Sequence, residues 1–183
     1  MKLEHVLLGF VAMRPCTGYD LKRWLASEMG RMTGLPGQQS QIYRTLNRMR
    51  ADGWIDYTLE RNEGRPDAKV YRPTEAGQHE LRRRLAEPYV PSPDPTDPEF
   101  LMRYLFTVFL TKEEQIALVR TELDARRAQY ERFLDRDIRE EPWLPGINRT
   151  RIVRLLDHVH DGKGRALLSH IGWLEEILTE LTT

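Results

Sequence analysis

Side chains that can bond nucleic acid are concentrated between Gln38 and Ile55, where arginines and amides recur at helical spacing. On a helix of about 3.6 residues per turn, one side of this stretch is apolar and consists of Ile42, Leu46, Met49 and Gly53. The other side is polar and consists of Ser40, Arg44, Asn47 and Arg48, flanked by Gln41 and Tyr43. Arginine and amide side chains bond phosphates and base edges, and no acid lies between Gln38 and Asp52. The stretch therefore predicts a helix that buries one face and offers the other to a partner rich in acceptors.

A β-hairpin is predicted directly after this helix. Residues 54–61 alternate well enough for a strand, and residues 69–72 give a second short strand. The connection between them contains Gly64, which permits a positive φ, and Pro66, which fixes φ, so it is rich in turns. Its tip carries Arg65, with Arg61 and Lys69 on either side. A basic helix face followed by a hairpin with basic residues near its tip is typical of a DNA-binding winged helix-turn-helix.

The remaining N-terminal elements complete such a domain over residues 1–86. A short buried helix is predicted for residues 3–13, and a capping box formed by Thr17 and Asp20 starts a second helix that ends near Gly30. Residues 30–37 make the turn into the third helix, and a fourth runs from residue 74 to about residue 86. The predicted domain is therefore mainly α with a small β-hairpin.

The C-terminal part is predicted to be helical and separate. Residues 87–98 contain five prolines, which exclude a helix and favour a stiff linker. Asp97 then caps a helix with Pro98 in its first turn, and a second helix runs from about residue 111 to about residue 139. A last helix begins near Thr150, and the glycines at 162 and 164 are expected to kink or loosen it.

The helices of residues 99–183 hold more apolar surface than a single three-helix hairpin of this length can bury. We therefore expect a helical dimerisation domain that makes a homodimer, although core packing within one chain explains the same pattern. The candidate dimerisation residues are Phe100, Tyr104, Ile116, Val119, Leu123, Tyr130, Leu167, Ile171, Leu174 and Leu178.

Four aromatic residues are candidates for an effector pocket in the same region: Tyr104, Phe109, Trp143 and Trp173. Such a pocket would take a small aromatic or apolar molecule. Packing alone explains these aromatic residues, and it is the simpler interpretation.

The formal net charge of the whole chain is zero, but the charge is unevenly distributed. Residues 1–86 hold 15 Lys and Arg against 10 Asp and Glu, a net +5, and residues 87–183 hold 13 against 18, a net −5. We therefore expect salt-dependent DNA binding that uses both subunits of a dimer. The apolar run of residues 6–13 is far shorter than the roughly 20 residues of a membrane span. That run and the single Cys16 favour a cytoplasmic protein that does not enter a membrane.

The sequence shows no pattern typical of an enzyme, a metal site or a cofactor site. His158 and His160 point to different sides of a helix, and His170 is too far away to complete a metal pair. Residues 162–164 are too short for a phosphate-binding loop. Glu122 and Arg126 have the i, i+4 spacing of a surface ion pair.

A second hypothesis is a winged helix that contacts only another protein. Protein contact would favour exposed aromatic residues on the third helix, whereas arginines, amides and a serine suit nucleic acid. We therefore favour DNA as the partner.

Five segments of residues 17–77 together resemble the PadR family of bacterial transcriptional regulators: residues 17–21, 41–46, 52–55, 64–71 and 74–77. Residues 98–101 and 173–175 resemble the longer PadR subgroup, which has a C-terminal helical dimerisation domain. One departure is Pro73, where the family phrase has Leu or Ile, so the second strand is expected to end early.

The resemblance implies roles for individual residues. Tyr43 would contact backbone phosphate, and Arg44 with its polar neighbours would enter the major groove. Arg65 and Lys69 would follow the neighbouring backbone or minor groove. It also implies a repressor that a small molecule releases from an inverted-repeat operator.

Overall fold

Helices form most of the structure, a computed structural model that describes residues 1–27, 30, 34–35, 38–61, 67–135 and 145–183. The chain divides into two compact units. The first comprises Met1–Pro88 and Thr96–Thr111, and the second comprises Tyr89–Pro95 and Lys112–Thr183. The predicted class, mainly α with a small antiparallel sheet, is confirmed.

The first unit has the element order of a winged helix-turn-helix. Its elements are α1 (Leu3–Met13), β1 (Cys16–Thr17), α2 (Gly18–Leu25), α3 (Gln39–Ala51), β2 (Ile55–Glu60), β3 (Ala68–Pro73) and α4 (Glu75–Ala86). These are followed by α5 (Pro98–Leu105) and a 3-10 helix (Phe106–Phe109).

The sheet has three strands in the order β1-β3-β2, all antiparallel. Tyr71 of β3 lies opposite Tyr57 of β2 on one side and Cys16 of β1 on the other. The β2–β3 hairpin was predicted, but the two-residue strand β1 was not. Because β1 leads directly into α2, the hairpin is bonded to the backbone that starts this helix.

Helix capping explains where two of these helices begin. The Thr17 hydroxyl accepts from the Asp20 backbone N–H at 3.1 Å, and the Thr17 N–H donates to the Asp20 carboxylate at 2.9 Å. The predicted capping box of α2 is therefore confirmed. The Thr17 hydroxyl also donates to the Asp20 carboxylate at 2.7 Å, and the bond from the Thr17 N–H and this bond lower the pKa of Asp20. Thr74 caps α4 in the same way, since its hydroxyl accepts from the Gly77 N–H at 3.0 Å.

One apolar core holds the first unit together, and α1 lies at its centre. Val6, Leu7 and Leu8 of α1 are wholly buried. Ile42, Leu46 and Met49 of α3 are also 0% exposed, which confirms the predicted buried face of that helix. Burying such side chains contributes about 1.5–3 kcal/mol each. This packing fixes which face of α3 remains at the surface.

Helix α5 packs in the first unit, whereas the sequence analysis placed residues 99–183 in one C-terminal domain. Its Asp97 cap accepts from the Glu99 N–H at 2.8 Å, as expected. Met102 and Phe106 then join the α1 core, with the Phe106 ring against Gly9, where no side chain intervenes. The apolar pattern of this helix is thus used largely within the first unit.

The second unit is built on two long helices, α6 (Lys112–Leu134) and α7 (Arg149–Thr182). Leu118, Val119 and Leu123 of α6 are buried, as are Leu167, Ile171 and Leu174 of α7. Helix α7 continues through both Gly162 and Gly164, so the glycines do not end the helix. A helical glycine costs only about 1 kcal/mol, which tertiary packing can offset. Helix α6 ends before the predicted Arg139, which lies outside the described residues.

None of the helices described is both long enough and apolar enough to cross a membrane.

Candidate nucleic-acid interface

The polar face of α3 is at the surface, opposite its buried face. Ser40, Arg44, Asn47 and Arg48 are exposed, Gln41 is half-buried, and Tyr43 is 37% exposed. We call these six residues the α3 polar face. It presents guanidinium, amide and hydroxyl groups on one rigid helix.

Tyr43 lies on the flank of the α3 polar face that is nearer the hairpin, and its ring packs over the start of α2. A Cβ atom on Gly18 would lie 2.6 Å from Cε1 of Tyr43, so glycine permits this close approach. The ring borders a groove of about 440 Å³ between α2, α3 and β3. The groove is lined by Thr17, Gly18, Tyr19, Tyr43, Asn47, Asp67, Ala68, Lys69 and Tyr71.

A cationic cluster where the end of α3 meets the hairpin adds a residue that was not predicted from the sequence. The Arg50 guanidinium lies 4.8 Å from the centre of the Tyr57 ring, and the Lys69 ammonium lies 4.5 Å from the same centre. Arg50 is also 4.0 Å from the Asp56 carboxylate. Helical spacing alone places Arg50 on the flank of Tyr43, a signal that could have identified it. We call Arg50, Tyr57 and Lys69 the hairpin cluster.

The opposite flank of the α3 polar face carries an ion pair. Arg48 Nη2 donates to Glu4 Oε2 at 2.9 Å, and Glu4 comes from the first turn of α1. The absence of acids within the helix itself therefore did not leave the face free of carboxylates. The two residues are 44 positions apart, so only the tertiary fold reveals the pair.

The remaining predicted DNA-binding residues belong to the hairpin. Arg61 and Lys69 are both exposed. Arg65, with the rest of residues 62–66, lies outside the described residues.

The candidate dimerisation residues fall into three groups. Phe100 is buried in the first unit, where its ring centre lies 5.9 Å from that of the half-buried Tyr104. Five more are buried within the second unit: Val119, Leu123, Leu167, Ile171 and Leu174. The half-buried group consists of Ile116, Tyr130 and Leu178 in the second unit. Apolar side chains with larger exposed fractions are Leu155 at 51%, Val159 at 62% and Leu168 at 45%, all on α7.

The four candidate pocket residues are distributed over the chain. Tyr104 and Phe109 belong to the first unit, where Phe109 borders a cleft of about 270 Å³ with Pro73, Gln78 and Arg82. Trp173 belongs to the second unit, with its ring centre 5.4 Å from that of His170. Trp143 lies outside the described residues.

The predicted surface pair of Glu122 and Arg126 is wrong, because both residues are only 2% exposed. Arg126 Nε donates to Glu122 Oε1 at 2.8 Å, and the Tyr89 hydroxyl donates to Glu122 Oε2 at 2.8 Å. Arg126 also donates to the Ser92 carbonyl oxygen, and His170 Nε2 lies 3.6 Å from Glu122 Oε1. Burial by itself raises the pKa of Glu122, but the nearby His170 imidazole, the bond from Tyr89 and the Arg126 guanidinium give a net lowering of that pKa. We call these groups the Glu122–Arg126 network.

Within the part of the chain that the structure describes, no cluster of three or more His, Cys, Asp or Glu residues is arranged to hold a metal ion. The residues at the surface of the first unit instead form a rigid helix face beside a cationic hairpin. Such an arrangement can bond phosphates and the edges of bases.

Residues 7–83 match the sequence model of the Transcriptional regulator PadR-like family. For these residues the match confirms the resemblance inferred from the motifs.

Two curated relatives bear on the same class of protein. The Probable transcriptional regulator Rv1176c of Mycobacterium tuberculosis is 37% identical over 92 residues, which cover 50% of this chain and 48% of the relative. The Negative transcriptional regulator PadR of Bacillus subtilis is 26% identical over 127 residues, which cover 69% of this chain and 68% of the relative. The chain thus spans about half the length of the first of these relatives.

Among solved structures, Bacillus subtilis PadR in complex with operator DNA is similar with a TM-score of 0.46 and 22% identity, covering 98% of both chains. The PadR-like regulator BC1756 from Bacillus cereus has a TM-score of 0.44 and 22% identity, covering 99% of this chain and 96% of that chain.

Proposed function

We propose that this protein is a sequence-specific DNA-binding transcriptional regulator that acts as a repressor in the cytoplasm. The single observation that carries the proposal is the exposed α3 polar face beside the hairpin cluster. The match of residues 7–83 to the PadR-like family and the name of the Bacillus subtilis relative, a negative regulator, support it. The proposal includes no catalytic activity, cofactor or metal.

The middle of the α3 polar face has the groups needed to read bases. Arg44 can bond O6 and N7 of a guanine with two parallel N–H donors, and Asn47 can bond N6 and N7 of an adenine. Both residues are exposed on a helix whose opposite face is fully buried, so their positions are fixed by the core. Each well-placed bidentate contact discriminates against a wrong base by about 1–3 kcal/mol.

The hairpin supplies groups suited to phosphates. Lys69 and Arg50 of the hairpin cluster and the exposed Arg61 carry positive charge beside the α3 polar face. Contacts of this kind fix the register of a protein on the duplex without reading its sequence. They also make the affinity fall with rising salt concentration.

The proposal includes a homodimer that binds an inverted repeat. One chain offers one α3, and two recognition helices about 34–36 Å apart match successive major-groove positions. The half-buried and exposed apolar side chains of α7 are candidates for the contact between subunits. Residues 1–86 would bind DNA, residues 87–98 would link, and residues 99–183 would form most of the dimer contact.

Release by a small aromatic or apolar effector completes the proposal. The candidate contacts for it are Tyr104 and Phe109 in the first unit or, separately, Trp173 in the second. The effector would act by favouring a dimer geometry in which the two recognition helices no longer fit successive major-groove positions.

A protein-contact module is the second candidate, and one observation favours it. Tyr19 is 64% exposed and Tyr43 is 37% exposed, and both border the groove beside α3. Exposed tyrosines are enriched in protein interfaces. Tyrosine hydroxyls also donate to phosphates, so the residues suit both candidates.

The test is to select sheared genomic DNA on the purified protein and to sequence the retained fragments. We expect a few fragments that share an inverted repeat. Arg44→Ala should abolish this enrichment, whereas Arg120→Ala, which removes an exposed arginine of the second unit, should preserve it. Gel filtration with light scattering then measures whether the bound species contains two chains.

No enrichment by the wild-type protein at low salt would contradict repression by the ligand-free protein. Enrichment that Arg44→Ala leaves intact would show that the α3 polar face is not the reading surface.

A further inference from the structure

One ion pair lies on the flank of the α3 polar face that faces α1. Arg48 Nη2 donates to Glu4 Oε2 at 2.9 Å, and the side chains are 58% and 18% exposed respectively. Glu4 is held in place because its neighbours Leu3 and Val6 are buried in the core. The carboxylate therefore has a fixed position at the edge of the proposed DNA-binding surface.

Stability does not explain this pair well. An ion pair whose arginine is largely exposed contributes about 0–1 kcal/mol after solvent screening. Its position matters more than its energy, because it places a negative charge where a negatively charged duplex would approach. Among the described residues Arg44, four positions earlier on α3, makes no such ion pair. The two arginines of one face thus differ in their electrostatic surroundings.

Geometry leaves part of Arg48 available. A guanidinium has five N–H donors in a planar fork, and the bond to Glu4 uses only one nitrogen. The remaining donors can bond a neutral base edge without loss of the Glu4 contact. A phosphate at the same place would instead face the Glu4 carboxylate at close range, where like charges repel.

We propose that Glu4 is a specificity-determining residue of the DNA-binding surface, which keeps Arg48 from phosphate contacts and reserves it for a guanine edge in the operator. This inference rests on the proposed function. Its physical basis is electrostatic, since the negative charge of Glu4 weakens binding to a phosphate more than binding to an uncharged base edge. Random DNA offers Arg48 mainly phosphates, whereas the operator offers an uncharged pair of acceptors.

The test variant is Glu4→Gln, which removes the charge and retains an oxygen that can accept from Arg48. The ligands are a 30-base-pair duplex of random sequence and a duplex of equal length from the selected fragments. We expect random-sequence affinity to rise about three- to tenfold at low salt, and the slope of log affinity against log salt to steepen by about one. Affinity for the selected duplex should change less than about twofold, so the specificity ratio falls.

Three further variants isolate the cause. Asp52→Asn removes an exposed negative charge at the end of α3 without touching the pair, and should leave the specificity ratio unchanged. In an Arg48→Ala background, Glu4→Gln should no longer alter the ratio or the slope. Arg48→Lys keeps the charge but loses the fork, and should lower affinity for the selected duplex about tenfold. Thermal denaturation of each variant verifies that the fold is retained.

Two results would overturn the role of Glu4 while leaving the proposed function intact: equal gains on both duplexes, or a Glu4→Gln effect that persists without Arg48. Failure of the wild-type protein to bind either duplex at low salt would instead overturn the proposed function, and with it this inference.

Discussion

The two units differ in how deeply they bury an ion pair, because the first pairs the buried Arg103 with a Glu99 side chain that is 22% exposed. The first has a core of aliphatic and aromatic groups, in which Val6, Ile42 and Phe106 are all 0% exposed. The second buries Glu122 and Arg126 nearly as deeply. In the first unit several elements pack against α1, so the burial of apolar side chains alone can fix how these elements are arranged. The second unit consists of two helices and a short proline-containing segment, so fewer contacts fix their arrangement.

This difference between the units indicates how precisely each core fixes the arrangement of the elements around it. An apolar core accepts small changes of register at modest cost, whereas an ion pair with further hydrogen bonds fits only one arrangement. In the second unit, Arg126 and Gln129 bond the carbonyl oxygens of Ser92 and Pro93, and Tyr89 bonds Glu122. The Glu122–Arg126 network therefore fixes where residues 89–93 lie on α6. We infer that it specifies geometry more than it adds stability.

The largest effect should come from breaking this network with Arg126→Met. The change leaves the Glu122 carboxylate buried without its charge partner, which costs about 3–5 kcal/mol of unfolding free energy. Urea titration followed by far-UV circular dichroism measures the loss, and hydrogen exchange over residues 112–134 locates it.

The neighbouring Arg127 provides the control, because its pair with Glu175 is about half exposed on both sides. Arg127→Met should cost less than about 1 kcal/mol. The double variant Glu122→Gln/Arg126→Met should recover much of the loss. Equal effects of the two arginine variants would remove the contrast between the units.

Gly77→Ala should destabilise the first unit, with a smaller and more local effect than Arg126→Met has on the second. A Cβ atom there would overlap the backbone carbonyl oxygen of Trp54, which cannot move as a flexible side chain could. Overpacking of this kind costs about 1–3 kcal/mol. Thermal unfolding should show a lower transition temperature, and hydrogen exchange should place the change in α4 and β2. An unchanged transition would mean that the backbone relaxes freely at this point.

Acid should weaken the first unit through His5, whose pKa is lowered from its ordinary 6.5 chiefly by burial. His5 in the unfolded chain then binds a proton at higher pH than in the folded chain. The free energy of unfolding therefore falls as the pH drops below about 6.5, by at most about 1.4 kcal/mol per pH unit. In the His5→Gln variant, the temperature of the thermal unfolding transition should vary less with pH between about 6.5 and 5.

Glu80, which faces His5 at 3.3 Å, has a pKa lowered chiefly by its bond from Arg83. Its contribution is present above its ordinary 4.5 and is lost only as the pH falls through the lowered value. The pH ranges in which His5 and Glu80 affect stability can therefore be separated. His79→Gln, which removes an exposed imidazole from α4, is the control. An identical flattening in both variants would rule out a specific role for His5.

The smallest expected effect is a gain in the stability of the second unit when a glycine of α7 is replaced by alanine. A Cβ atom on Gly162 would meet open space within α7, so Gly162→Ala should gain about 0.5–1 kcal/mol by lowering the entropy of the unfolded chain. Gly164→Ala should gain less, because its Cβ atom would lie 3.1 Å from the Phe133 ring. Calorimetry can resolve both shifts. A loss with Gly162→Ala would indicate that α7 needs the glycine to bend.

Periodicity predicted the elements that depend on local pattern. The buried side of α3, the capping box at Thr17 and the hairpin after α3 all follow from spacing over a few residues. The same spacing predicts the α3 polar face, because a helix that buries one side leaves the other side at the surface.

Features that depend on distant partners were not predictable. Glu122 and Arg126 have the spacing of an ordinary surface pair, and only the position of Tyr89 and Ser92 reveals their burial. Helix α5 was apolar around its circumference, but the pattern does not say which neighbours cover it. The strand β1 is only two residues long and carries no alternation to detect.

The short strand β1 also bears on how the reading surface can evolve. It pairs with β3, and its Thr17 caps α2, so backbone bonds hold the hairpin against the start of α2. Side chains on the hairpin and on the α3 polar face can then change without moving the frame that carries them. Under the proposed function, operator preference can therefore change by single substitutions at these positions while the frame that carries them stays the same.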